Sequence, residues 1–596
     1  MKKYSEILGK IVRENFDFDG EFSFERTDEK FGDFATNAAM VIFGFAKKND
    51  EFREKYAEKN GKDFAKNPRE LAEEIREKLL ETGVFASVEI AGPGFLNMTV
   101  SARNLRENLD ETLSRKPQNF ANQVVLTEFS DPNPFKVLHI GHLYTSIIGD
   151  SVSRLIENAG GKVSRLNFGG DVGLHVAKNL YAIAKNWGGN FDENGKLDQD
   201  FSRKLSEVPE DANERANFMA KHYVEGTNAY EDDDAAHETI TKINAEVYRF
   251  HRENDHESNL AKIYWTCREW SYDYFNDFYA KIGVNFAKYY PESQTEQLGL
   301  REVLAHVPEV YQKSDQSDAI IFPGEKYGLH TRVFVNSNGL PTYEAKDVGL
   351  SLSKWRDYHF DRSFIITGND ILEYMKVVVK SISLFAPEPA ERTTHITHGN
   401  VKLAGGVKMS SRKGNFVRAV DVLDLTTKLQ AEVSGTANFD VALGALKFGF
   451  LKSDIGPDVV FEPETSVSLT GFSGPYVQYA AVRINKILAD NGFAKGKNFA
   501  KTDDDYDFAP EKNLLLKLTE YPSVLAEATD NLKPHKIAEY AFELAKTLNK
   551  YYEQTPVATA EVTEKIRENR LEILAKTSEI FANALEILGM KIPEKM

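Results

Sequence analysis

The sequence predicts an α/β protein in which a Rossmann-like parallel-sheet domain follows a small α+β domain and precedes an all-helical bundle. Three stretches carry that expectation. Val124 to Gly161 reads as strand, tight loop and helix, and a second strand at Val163–Asn167 comes next, which implies a parallel pair with a right-handed crossover. From about Leu423 to the end, apolar residues recur at helical spacing. Near the start, SVEIAGPGFLNMTVS alternates like two strands around the turn Gly92-Pro93-Gly94.

At 596 residues the chain exceeds what one core serves, and 41% hydrophobic with 28% charged residues is ordinary for a soluble globular protein. No apolar run approaches the roughly 18 residues of a membrane span, and MKKYSEILGK lacks an apolar signal core, so a cytoplasmic protein is expected. The single cysteine, Cys267, excludes an intramolecular disulfide or a zinc site of several thiolates and is expected in the core. A net charge of −17 argues against non-specific nucleic-acid binding, because that depends on neutralising phosphates. A specific RNA partner would need local basic and aromatic patches.

In order along the chain, residues 1–112 form the first domain, with an apolar helix in KFGDFATNAAMVIFGFAKK and an amphipathic one in LAEEIREKLLE. Asn37 and Phe95 are read there as structural. Residues 113–123 are a polar linker, and 124–422 make the sheet domain, with a charged helical insertion at about 190–260. Its acidic run Glu231–Asp234 reads as a solvated helix start, since no glycine-punctuated ligand spacing accompanies it. Further strands are expected at Asp318–Phe322, Arg332–Asn336 and Phe364–Thr367. Residues 423–596 are the helical bundle, with KGKNFAKTDDDYDFAP as an exposed connection. Its aromatics Tyr476, Tyr479, Tyr551 and Tyr552 could stack on unpaired bases, although most tyrosines at helical spacing are core.

Two clusters carry chemistry. His139 and His142 open the first helix after a strand and the loop Asp131-Pro132-Asn133-Pro134, with Gly141 between them. A helix N-terminus offers unpaired N–H groups and partial positive charge, which suits phosphate oxygens, and ligands of open α/β sheets bind at the carboxyl ends of strands. The plain alternative is two surface histidines. Far downstream, GGVKMSSRKGN at 405–415 interleaves Lys408, Arg412 and Lys413 with Ser410 and Ser411, a loop fit for a departing pyrophosphate or merely a basic surface.

H-I-G-H followed by K-M-S-S-R resembles the paired signatures of class I aminoacyl-tRNA synthetases. FGDFATNAAM, AGPGFLN, EFSDPNPFKVLHIGHL, GGDVG, Glu292-Ser293, TYEAKD, KMSSRKGN, GPYVQYAAVR and LGMKIPEKM resemble, in order, the blocks of the arginyl-tRNA synthetase family and span almost the whole chain. The resemblance implies an arginine–tRNA ligase. Arginine's carboxylate attacks the α-phosphate of ATP, pyrophosphate leaves, and the arginyl group passes to the terminal ribose of tRNA.

By the same resemblance, His139, His142 and Lys408 are catalytic, and ATP is held by these together with Gly141, Gly368, Met409, Ser410 and Ser411. Asn133, Glu292, Tyr343 and Asp347 hold arginine, although by helical position alone Asp347 reads as a surface residue. The first domain is assigned to the tRNA elbow and the bundle to the anticodon, with Tyr476, Gln478, Arg483 and Met596 as contacts. Mg²⁺ accompanies ATP, no zinc is implied, and family habit suggests a monomer that needs bound tRNA for activation. Asp131, Tyr144 and Ile371 depart from the common serine, arginine and glutamine of the family. A catalytically silent tRNA-binding relative, a class I synthetase of other specificity and a small-molecule nucleotidyltransferase are the competing readings.

Overall fold

The computed structural model describes residues 2–404, 417–493, 508–557, 559 and 562–596. The chain forms two compact units, one of Met1–Pro117, Ala480–Glu527 and Tyr540–Asn583, the other of Gln118–Tyr479, Ala528–Glu539 and Ala584–Met596.

The second unit is built on a five-stranded parallel sheet: β1 (Val124–Glu128), β2 (Lys162–Gly169), β3 (Lys288–Pro291), β4 (Arg362–Gly368) and β5 (Thr393–His398). Their spatial order is β3-β2-β1-β4-β5, so the sheet runs outward from β1 in both directions and reverses between β1 and β4. Such a reversal opens a crevice at the carboxyl ends of the two strands. Helix α1 (Ile140–Asn158) makes the β1–β2 crossover. Gly160, with φ +86°, ends it as expected of a residue just past a helix.

The expected strands at 318–322 and 332–336 form instead a separate antiparallel sheet, where Ile320–Phe322 pairs with both Gln312–Lys313 and Arg332–Val335. Strand β4 alone of the three belongs to the parallel sheet. Helices α2 (Glu292–Ala305) and α3 (Tyr343–Tyr358) follow β3 and this small sheet. The two helices meet through glycines. A Cβ on Gly299 would lie 1.8 Å from the Ala345 carbonyl oxygen, and one on Gly349 2.0 Å from that of Thr295.

In the charged insertion, helices Ala212–Asp232, Asp234–Glu253 and Asn259–Ile282 pack with Leu174–Asn186 around Ile240, Ile243, Tyr264 and the buried Cys267. The acidic run serves as a helix start. Asp233 accepts from the amides of Ala235 and Ala236, satisfying two of the donors that a helix N-terminus leaves unpaired.

In the first unit, Phe85–Ala91 and Phe95–Val100 form the expected hairpin, with Val88 opposite Met98, in a four-stranded antiparallel sheet. Asn37 accepts from the Ser23 amide at 2.8 Å, a structural role, and Phe95 is exposed. Helix Glu564–Ile587 carries Arg570, whose Nε donates to the buried Glu511 at 2.7 Å. Of the apolar stripes expected in the bundle, Val477, Ala480, Ile484, Ile537, Tyr540, Ala541, Leu544 and Leu548 are buried, and Ile487 and Leu488 are half-buried. Among the described residues no helix is long and apolar enough to cross a membrane.

Among the buried ion pairs of the second unit, Lys354 of α3 donates to Glu128, the last residue of β1, at 2.7 Å, with side chains 1% and 5% exposed. Removing one partner strands the other charge in a dry site. Lys354→Met should therefore lower stability by about 3–5 kcal/mol in denaturant unfolding, and Glu128→Met with Lys354→Met by much less.

Candidate functional site

The loop leaving β1 is held in unusual backbone. Ser130, Asp131 and Phe135 have φ of +75°, +47° and +68°, values that L-residues adopt at a cost. The loop is pinned from several sides. Ser130 shares a hydrogen bond with the Tyr279 hydroxyl at 2.7 Å, Asp131 accepts from the Phe168 amide at 2.8 Å, and the Ser271 hydroxyl accepts from the Phe135 amide at 3.0 Å.

At the end of this loop the two histidines interlock. His139 is the N-cap of α1, and its Nδ1 accepts from the amides of Gly141 at 3.1 Å and His142 at 3.3 Å. His142 Nδ1 accepts in return from the His139 amide at 3.2 Å. This is a capping box made of imidazoles, their rings stacked with centroids 3.7 Å apart. Because both Nδ1 atoms accept, both ring protons reside on Nε2. Burial, then the charge of Lys136, lowers His139 to about 4; burial, then His139 and Lys136, pushes His142 well below its ordinary value. Both are neutral hydrogen-bond donors at pH 7.

Lys408, Met409, Ser410 and Ser411 lie outside the described residues. The chain that resumes after them is joined to the histidine corner: the Ile140 amide donates to the Val417 carbonyl at 3.1 Å, the Ala419 amide to that of Leu138 at 2.9 Å, and His139 bridges Arg418. Gly368 ends β4, across the sheet reversal from β1.

A second group gathers where β2 ends. Gly170 has no room for a side chain, since a Cβ there would lie 2.8 Å from Asn133 Oδ1 and 3.1 Å from Glu292 Oε1. Asn133 Oδ1 accepts from the Gly170 amide at 2.8 Å. Glu292 opens α2, and the start of that helix is fixed by Asp171, which accepts from the Ser293 amide at 3.0 Å and hydroxyl at 2.7 Å and pairs with Arg268 at 2.8 Å. On α3, Tyr343 is 60% exposed, whereas Asp347 is half-buried and accepts from the Tyr374 hydroxyl. Burial raises Asp347 to about 7 against the pull of Tyr374, and the negative charges of Glu128 and Glu292 add to the rise. The surface reading of Asp347 is thereby corrected: α3 packs that face against α2 and the helix carrying Tyr374.

Sequence reasoning missed Lys346, Tyr374 and Glu296. Lys346 donates to Glu292 at 2.6 Å, and Glu292 and Lys346 are both nearly inaccessible. Lys346 and Lys354, eight apart on one face of α3, were the signal available. Of the departures, Tyr144 points into the core, its ring edge-on to His398 and Phe450. Ile371 is half-buried just before the helix Leu372–Ser383 that carries Tyr374.

The four bundle residues differ in exposure. Gln478 is fully buried, and its Nε2 donates to the carbonyls of Asp440 at 3.1 Å and Lys591 at 2.8 Å, which removes it from any surface that RNA could reach. Tyr476 and Met596 are half-buried, and Arg483 is exposed, its guanidinium 4.9 Å from the Tyr552 ring. Of the four tyrosines considered for stacking, Tyr479 is exposed and Tyr551 is buried. Among the described residues no group of three or more His, Cys, Asp or Glu side chains is arranged to hold a metal ion.

Nitrogen-edited NMR should find both histidine rings as the Nε2–H tautomer with no titration between about pH 5.5 and 8, whereas a midpoint near the ordinary value of about 6.5 would contradict the burial described.

Comparison with known proteins divides the chain into three matched regions. Residues 105–437 match the family model for the class I (R) tRNA synthetase catalytic domain, residues 2–100 that for the arginyl tRNA synthetase N terminal domain, and residues 477–596 that for the DALR anticodon binding domain. An arginine–tRNA ligase of Porphyromonas gingivalis is 27% identical, with 97% of this chain and 96% of the relative covered. One from Lactobacillus delbrueckii subsp. bulgaricus is 28% identical over 96% of this chain and 94% of its own length. The solved arginyl-tRNA synthetases of Thermus thermophilus (TM-score 0.73, 22% identity, 100% of both chains) and Plasmodium falciparum (TM-score 0.70, 20% identity, 100% of this chain and 99% of that one) share the fold.

Proposed function

The chain belongs to the class I arginyl-tRNA synthetase family, and from that premise we propose how its residues divide the work of an arginine–tRNA ligase. The observation that carries the assignment is the pair of neutral, interlocked histidines at the sheet reversal, with inward carboxylates close to the same loop.

His139 and His142 present Nε2–H donors to the triphosphate of ATP, and the helix N-terminus behind them adds partial positive charge. Neutral imidazoles suit this task. They donate hydrogen bonds to phosphate oxygens without changing charge near neutral pH. Lys408, with Met409, Ser410 and Ser411, receives the departing pyrophosphate, and Gly141 and Gly368 leave the backbone open to the nucleotide. The bridge from Arg418 to His139 supports this pairing, since it ties the chain beyond the lysine–serine stretch to the histidine corner. ATP would bring Mg²⁺ as part of the substrate, to neutralise phosphate charge. No nucleophile from the protein is needed, so catalysis rests on positioning and on donors aimed at the charge developing on phosphate.

Asp347 and Glu292 take the guanidinium, whose fork of donors suits two carboxylates. Tyr343 covers it, and Asn133 holds the amino-acid end. The first domain receives the tRNA elbow, and Tyr476, Arg483 and Met596 lie towards the anticodon. The protein works as a cytoplasmic monomer.

Arginine-dependent charging of tRNA, compared with glutamate and cysteine, tests the whole reading; absence of arginine charging with adequate Mg²⁺ overturns it. Lys408→Ala should slow ATP–pyrophosphate exchange by about 100- to 1,000-fold, measured with and without tRNA. Asp347→Ala should raise the KM for arginine about 100-fold or more. Because burial raises Asp347 to about 7, the carboxyl is protonated below that pH and loses its guanidinium partner. In the wild type kcat/KM for arginine should then fall by at least tenfold per unit as pH drops below 7, and Asp347→Asn should make that limb shallower by about tenfold per unit.

A further inference from the structure

One oxygen of the carboxylate expected to receive the guanidinium is already taken. Glu292 accepts from Lys346 Nζ at 2.6 Å, and the same ammonium donates to the Tyr248 hydroxyl at 3.2 Å and lies 5.2 Å from the Tyr343 ring. Burial works against the charged lysine, but Glu292 and Tyr248 hold it above its ordinary range. Lys346 holds Glu292 Oε2, so a guanidinium cannot take both oxygens of Glu292 unless Lys346 leaves, and a buried ammonium can leave only towards another acceptor.

One acceptor lies a helical turn away. Glu296 follows Glu292 by four residues on α2 and so shares its face. It is 1% exposed, and among the described residues its Oε2 has no hydrogen-bond partner, while Oε1 accepts weakly from Gln297 at 3.3 Å. The charges that act on it come from Lys346 on α3, Glu292 on its own helix and Asp171 in the loop after β2. A buried carboxylate with an unused oxygen is costly unless something fills it for part of the cycle.

We propose that Lys346 is an internal placeholder for the substrate's cation, which moves from Glu292 to Glu296 when the guanidinium arrives. The inference rests on the reading of Asp347 and Glu292 as the guanidinium site. Without arginine, Lys346 neutralises Glu292 and Glu296 stands half-protonated, since burial raises it to about 7 against the pull of Gln297 and Lys346. With arginine, the guanidinium fork engages Asp347 and Glu292 together, which the point charge of an ammonium cannot do. The flexible lysine stem then swings one turn along α2 to a newly ionised Glu296. The site keeps its charges paired in both states. Glu296 is thus a positioning residue acting through Lys346, and its proton leaves as arginine binds.

Glu296→Gln keeps the shape and removes the charge. The KM for arginine should rise about tenfold, the scale of one charge-assisted hydrogen bond, with the KM for ATP and kcat at saturating arginine within about twofold. Adding Lys346→Met should abolish that penalty, because no placeholder then needs an acceptor. Lys346→Met leaves Glu292 unpaired and can impair folding, so proton release on L-arginine binding supplies a second measurement, by calorimetry at pH 7 in buffers of different ionisation enthalpy. Wild-type protein should release about one proton, half each from Glu296 and Asp347, both raised to about 7, and Glu296→Gln about half as much. Equal release by the two proteins, or an unchanged KM, overturns the inference. Persistence of the Asp347 half in both would show that the guanidinium site itself is read correctly.

Discussion

Carboxylates buried beside one another repel, and the second unit is arranged to hold several of them at the end of one sheet. Glu128, Asp171, Glu292 and Asp347 each take a partner from elsewhere: Lys354, Arg268 with Ser293, Lys346, and Tyr374. Helix α3 supplies two of the partners and one of the carboxylates, which makes it the organising element. A negative cluster in a low-dielectric site favours a cation strongly, and the partners keep that preference from destroying the fold while the substrate is absent. Asp347, paired only with a neutral hydroxyl, is the group with most to gain from a guanidinium.

The nucleotide side follows the opposite design. There the charge belongs to the ligand, and the protein offers backbone amides and two neutral imidazoles. The capping box settles orientation and protonation together: by accepting at Nδ1, each ring fixes its proton on the far nitrogen. The strained loop before it, with three positive-φ residues, aims Asn133 towards Gly170 while delivering His139 to the helix start. On the proposed assignment one short loop serves both substrates, in a reaction that must bring an amino-acid carboxylate to a nucleotide phosphate.

Periodic features were legible in the chain. The β1–α1–β2 unit, the Gly92–Gly94 hairpin and the apolar stripes of the bundle follow from spacing that any fold must obey. Lys288–Pro291 and Thr393–His398 gave no such signal, because KYYP is brief and proline-ended and TTHITH carries few apolar residues. The strands at 320–322 and 332–335 were visible as strands, but their antiparallel sheet was not, since pairing depends on where α2 and α3 place the chain. The site was readable as residue types through family blocks. Its partners were hidden: Lys354 meets Glu128 across 226 positions, and nothing local to either announces the other. Gln478 shows the converse, a residue in a recognisable block whose amide ties down the C-terminal segment from inside.

The glycine contact between α2 and α3 has a consequence for how selectivity can change. Where Gly299 and Gly349 bring backbone against backbone, the gap between the helices is a gauge cut in the main chain, with no side chain that could be exchanged to widen or narrow it by degrees. The carboxylates of Glu292 and Asp347 are mounted on the two jaws of that gauge. Repacking of the surrounding core can alter stability, yet it leaves the opening at one width. A shift to a different amino acid would have to come from new functional groups on the same jaws.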